Sequence, residues 1–133
     1  IRHRNHLGAV ERFGTLYTDG TLVKDFTNWT TMACWPGTMH GDSLQDPNRQ
    51  LWSGDVNFDH VLRYMGANND RDPILNAIGG STPTAVEQSV YAAEDVNMDG
   101  TIKYLGANND RDPILQNIGG STPTATRSQI GFQ

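Results

Sequence analysis

A single cysteine, Cys34, in 133 residues excludes an internal disulfide and a cysteine-rich zinc site. Its plain reading is a small buried thiol, and no spacing supports a catalytic pair with His3 or His40. No apolar run is long enough to span a membrane, and no stretch has the form of a signal peptide. Hydrophobic residues make up 36%, sufficient for a modest core in one small domain. Basic residues are also short, 10 against 15 acidic, for a net charge of −5. The deficit is local. Residues 1–50 balance five acids with five bases, whereas residues 51–133 set ten acids against five bases. An acidic excess of this kind argues against nucleic acid as a partner. There is no phosphate loop, no nucleophile triad and no carboxylate pair outside the acidic half, so the chain does not read as an enzyme. It opens on Ile1 and not on methionine, which reads as a processed product or a fragment.

The acidic half is a duplication. Residues 55–85, DVNFDHVLRYMGANNDRDPILNAIGGSTPTA, return at 95–125 as DVNMDGTIKYLGANNDRDPILQNIGGSTPTA. The offset is forty residues without a gap, and 23 of 31 positions are identical. Eight of the ten acids of this half are Asp55, Asp59, Asp70, Asp72 and their counterparts Asp95, Asp99, Asp110 and Asp112. Such clusters repel themselves unless a cation is present.

Each copy opens Asp-x-Asn-x-Asp. Oxygen side chains at alternate positions of a tight loop can converge on one Ca²⁺. Counted from Asp95, positions 1, 3 and 5 are Asp95, Asn97 and Asp99. Position 6 is Gly100, where the chain turns sharply, and position 7 offers the Thr101 carbonyl. Asp55, Asn57, Asp59 and the Val61 carbonyl form the first-copy set, with His60 where the second copy has glycine. This is the first eight-residue stretch of an EF-hand loop, and Ile102 at position 8 is placed to pair with Leu62. Magnesium fits less well, because it gives up its waters reluctantly. The plainer alternative is that Asp70-Arg71-Asp72 is a helix cap with local ion pairs and Asn68-Asn69 an ordinary turn.

These loops resemble the dockerin and dockerin-like modules of secreted bacterial proteins. The similarity is closest to duplicated DVN-x-DG…NDRDPIL modules at the C-terminal ends of large extracellular proteins of Bacteroidota. There an IRHRNHLG strand from a preceding β-rich domain also stands shortly before the module. The likeness covers residues 1–10 and about 51–125. It implies paired loop–helix calcium units, one Ca²⁺ per repeat, and a secreted or cell-surface location. An EF-hand loop closes with a carboxylate at position 12, but here that position is Gly66 or Gly106. The resemblance therefore implies closure by Asp70 or Asp72, and by Asp110 or Asp112, without choosing between them.

Each repeat is expected to carry a short helix. Pro73 fits its first turn, Asp70 or Asp72 its N-cap, Ile74, Leu75 and Ile78 its apolar face, and Gly79-Gly80 its end. So short a helix must dock, most simply against its twin. Upstream, Ile1–Val10 alternates like a strand, with His3 and His6 on opposite faces, against a shared histidine metal site. Asp19-Gly20 between β-formers signals a hairpin. Residues 36–50 are turn-rich and read as a loop or hinge. Tyr64 and Tyr104, at equivalent positions, are expected to brace the loops or the helix pair, with sugar binding as the competing role. Trp29 and Trp35 read as core, and Asn28-Trp29-Thr30 matches a glycosylation sequon of little weight in a bacterial protein.

The expected fold is thus a small α+β protein. A β-rich segment at 1–50, which can be the end of a larger β domain, precedes a duplicated calcium module at 51–133 in a pseudo-twofold arrangement. The expected role is structural or interactive: docking or assembly, with the edge of the Ile1–Val10 strand open to another chain and an extracellular filament as one outcome. The competing reading is a carbohydrate-binding or enzyme-associated accessory module.

Overall fold

The computed structural model describes residues 3–8, 39–40 and 50–129. Among them lie two helices, α1 (Arg71–Ala77) and α2 (Arg111–Asn117), and six short strands. These strands are β1 (Met39–His40), β2 (Gln50–Leu51), β3 (Val61–Arg63), β4 (Val86–Gln88), β5 (Thr101–Lys103) and β6 (Thr126–Ser128). All pairing is antiparallel and two-stranded: β1 with β2, β3 with β6, β4 with β5. The class is mixed α+β. The expected hairpin at Asp19-Gly20 and the aromatic stretch 26–35 lie outside the described residues. Within the region read as a loop, Met39–His40 and Gln50–Leu51 pair as strands.

The pairings run across the repeats. Val61, Leu62 and Arg63 of the first copy pair with Ser128, Arg127 and Thr126, which follow the second copy. Thr101, Ile102 and Lys103 of the second copy pair with Gln88, Glu87 and Val86, which follow the first. The expected Leu62–Ile102 bridge is therefore not formed. Each strand is held by the tail that follows the other copy. The helices cross in the same sense, α1 packing on β5 and α2 on β3. Three- and seven-residue elements bury too little to stand alone, and this crossing supplies the missing partner surface.

Two apolar clusters result. Val56, Ile74, Ile78, Val96, Ile102 and Ile114 form the larger, with residues from both copies and both helices. Leu7, Leu62 and Ile118 form the smaller, flanked by Trp52, Leu115 and Ala125. Ile74 and Ile114 are completely buried, as the helical spacing requires. Gly54 lies so close to α2 that a Cβ there would stand 2.9 Å from the Ile114 side chain, and its φ of +115° suits glycine alone.

The helices end as expected, Gly79 and Gly80 both taking positive φ with the Gly80 N–H on the Leu75 carbonyl. They begin differently. Asp70 holds the N-cap position but makes no side-chain cap bond. The cap is Asn69, whose Oδ1 accepts from the N–H groups of Arg71 and Asp72 at 3.1 and 3.0 Å. Asn109 does the same for α2.

Residues 3–8 are not a regular strand. They turn over Arg4–Asn5, closed by the His6 N–H on the His3 carbonyl, and their β-type pairing with the module is an isolated bridge from His6 to Ser53. The turn brings together the two imidazoles that alternation would have set apart, with ring centroids at 4.9 Å. Its cause is Asn5, completely buried, whose backbone carbonyl accepts from both Gly54 and Asp55. No helix among the described residues is long and apolar enough to cross a membrane.

Candidate metal centre

Each loop is folded by its own acidic side chains. Asn57 Oδ1 accepts from the Asp59 N–H and Asp59 Oδ1 from the Val61 N–H, both at 2.9 Å. Asn97 and Asp99 repeat these turns at the same distance. Asx side chains favour such local bonds, which is why the Asp-x-Asn-x-Asp spacing winds so tightly. Position 1 is buried in both loops. Asp55 accepts from the His60 N–H at 3.3 Å, and Asp95 from Asp99 and Gly100, each at 3.1 Å. At position 6, His60 has φ +67° and Gly100 φ +82°. Both copies need the left-handed turn, and the first makes it with a side chain that disfavours it.

The two carboxylates that spacing could not separate are placed differently. Asp70 is completely buried. Its Oδ1 accepts from the N–H groups of Val56 and Asn57 at 2.9 and 3.4 Å, its Oδ2 from that of Arg63 at 2.8 Å. Asp110 engages Val96, Asn97 and Lys103 in the same way. Each staples the start of its loop to the strand that follows. Asp72 and Asp112 are exposed at the helix starts, where each accepts from the preceding asparagine side chain. They line open cavities of about 480 and 400 Å³ with Asn57, Asp59, Asn68 and Asn69, and with Asn97, Asp99, Asn108 and Asn109.

Burial pushes the Asp70 carboxyl up to about 7 despite its three N–H donors, with the charge of Asp55 adding to the rise. Asp110 and Asp55 are also raised, first by burial. Among the described residues neither Asp70 nor Asp110 has a cationic partner. Asp55 has the His60 imidazole at 3.6 Å, and Asp95 has the Arg4 guanidinium at 3.4 Å. Asp59 has Arg63 at 3.2 Å. Arg71 and Arg111 instead lie over the Tyr64 and Tyr104 rings, each at 4.7 Å, so these tyrosines brace the helix starts.

No three His, Cys, Asp or Glu side chains converge on one point among the described residues. A loop of this type takes part of its shell from amide and backbone oxygens, here Asn57 and the Val61 carbonyl, or Asn97 and the Thr101 carbonyl. Its donor set is all oxygen, and buried carboxylates lacking a cation stand beside it. The residues fit a hard divalent cation. Sequence reasoning missed Asn69, Asn109, Arg4 and Asn5. The paired asparagines were visible as a turn, but nothing local marked Asn5.

No family model matches the chain, and neither a curated protein nor a solved structure matches it.

Proposed function

We infer that the two repeats form a dockerin-like calcium module, in pseudo-twofold arrangement, within an extracellular structural or interaction protein. Each repeat holds one structural Ca²⁺. Asp55, Asn57, Asp59, the Val61 carbonyl and Asp70 serve the first ion; Asp95, Asn97, Asp99, the Thr101 carbonyl and Asp110 serve the second. The observation that carries this reading is the burial of Asp70 and Asp110 beside Asp55 and Asp95, with no cation of their own among the described residues. Burying a carboxylate without a positive partner is unfavourable, and a divalent ion relieves it. Asp70 and Asp110 are preferred to Asp72 and Asp112 because they reach back to loop positions 2 and 3.

With the ions in place the loops are neutralised and the exchanged strands and helices form a rigid unit suited to docking or assembly. Calorimetry on the full chain is expected to give two calcium sites, with a melting temperature that rises in calcium and falls with chelator. A melting temperature indifferent to both removes the reading. Electron microscopy of native material with and without chelator then tests assembly.

A further inference from the structure

Asn5 makes contact with both loops where each begins, at the first ligand position and just before it. Its backbone carbonyl accepts from the N–H groups of Gly54 and Asp55 at 2.7 and 2.9 Å. Its side-chain Nδ2 donates to the carbonyls of Ala93 and Asp95 at 2.7 and 3.0 Å. Asp55 and Asp95 are the first ligand positions of the two repeats. Both amide protons are spent on the second loop, and Oδ1 is buried without a partner among the described residues. An asparagine is thus used here purely as a double donor, which aspartate of nearly the same shape cannot be. Arg4 adds to the same point, its Nη2 at 3.3 Å from the Asp95 carbonyl while its guanidinium lies over Tyr91 at 4.2 Å. Leu7 anchors the other side, completely buried against Leu62 and Ile118, with its N–H on the Trp52 carbonyl.

We propose that Asn5 is a positioning residue shared by the two loops, a clasp that couples calcium binding at one to the geometry of the other. This rests on the calcium reading above. Ordering Asp55 fixes the amides that hold the Asn5 carbonyl. The Asn5 side chain then fixes the backbone carbonyl of Asp95, the residue that supplies the second loop's first ligand. A loop held in its bound shape loses less freedom when its ion arrives.

The test uses the full chain with isotope-labelled amides. Asp99→Ala disables the second loop, and calcium is titrated into the first. The amides of Asp95 and Val96 are expected to shift with those of Gly54 and Asp55, at one calcium midpoint. Adding Asn5→Asp is expected to silence Asp95 and Val96 while Gly54 and Asp55 still respond, because the backbone bonds survive. In an otherwise native chain Asn5→Asp is expected to weaken the second site about tenfold, the scale of one or two lost hydrogen bonds. Silence at Asp95 and Val96 in Asp99→Ala alone overturns the coupling, and this arm retains the native Asn5. An equal response with Asn5→Asp present overturns the role of Asn5. If the unaltered chain binds no calcium, the functional reading fails separately. The clasp is then judged by hydrogen exchange: faster exchange at Asp95 and Val96 in Asn5→Asp supports it, and unchanged exchange overturns it.

Discussion

Leu62 lies opposite Arg127, a residue that follows the other copy of the repeat, and not opposite its own counterpart Ile102. The unit of sequence is therefore not the unit of folding. A chain carrying only residues 50–91 would have β3 and β4 but neither of their partners. It is expected to give the circular dichroism of an unfolded peptide at low concentration. At high concentration two such chains can complete each other. A folded monomer in sedimentation, with dispersed amide signals, would contradict the crossed pairing.

Asp110 and Asp112 stand two residues apart and should behave oppositely. Asp110→Ala leaves three backbone N–H groups without their acceptor. The expected cost is roughly 3 kcal/mol or more, a large part of the stability of so small a domain. Asp112→Ala removes an exposed carboxylate and is expected to cost under about 1 kcal/mol. Thermal melts in chelator measure both. In calcium, Asp110→Ala should also lose the second site and Asp112→Ala should keep it. The reverse pattern would transfer closure of the shell to Asp112.

His60 holds a left-handed turn that its counterpart Gly100 makes freely. His60→Gly removes backbone strain of about 1 kcal/mol, so calcium affinity at the first loop should rise about fivefold. Calorimetry against the unaltered chain reads this directly. A weaker first site would mean that the imidazole beside Asp55 supports the loop.

His6 gives a dependence on pH. Burial, then His3 and Arg4, lowers its imidazole from the usual 6.5 to about 4. The unfolded chain takes up this proton as pH falls below 6.5, while the folded chain resists until about 4. Stability from His6 is thus complete above 6.5 and is lost as pH falls toward 4. Asp55, Asp70 and Asp110 act in the opposite direction, because their raised values favour the folded form on acidification. The measurement is therefore the difference in melting temperature between the unaltered chain and His6→Gln, in chelator. His3, Arg4, Asp55 and His60 share the cavity with His6 and remain in both. The advantage of the unaltered chain should shrink between pH 6.5 and 4. A constant difference would show that His6 does not titrate there.

The local features of this fold were legible in the sequence. Pro73, Ile74, Ile78 and the paired glycines located α1, and the same letters located α2, because helix signals lie within a few residues of one another. Asp-x-Asn-x-Asp marked two tight loops for the same reason. The partners of those elements were not legible. Leu62 and Ile102 looked like natural mates because they are equivalent, but equivalence says nothing about which tail lies beside which strand. Asp70 and Asp72 were inseparable by spacing, since burial and not sequence distance distinguishes them. The strand reading of residues 1–10 failed over 3–8 because a buried amide at Asn5 overrides alternation, and its four backbone partners lie some 50 to 90 residues away.

The contact between the Leu7 N–H and the Trp52 carbonyl, 2.8 Å long, has a topological result. Beside it, His6 bridges Ser53, so two stretches of chain far apart in sequence, at 6–7 and 52–53, are joined side by side. The entropy of closing a loop rises only slowly with its length. The cost of bringing residues 3–8 onto the repeats therefore depends only weakly on how many residues separate the two sides of this seam, and the Leu7–Trp52 and His6–Ser53 contacts have that cost alone to offset.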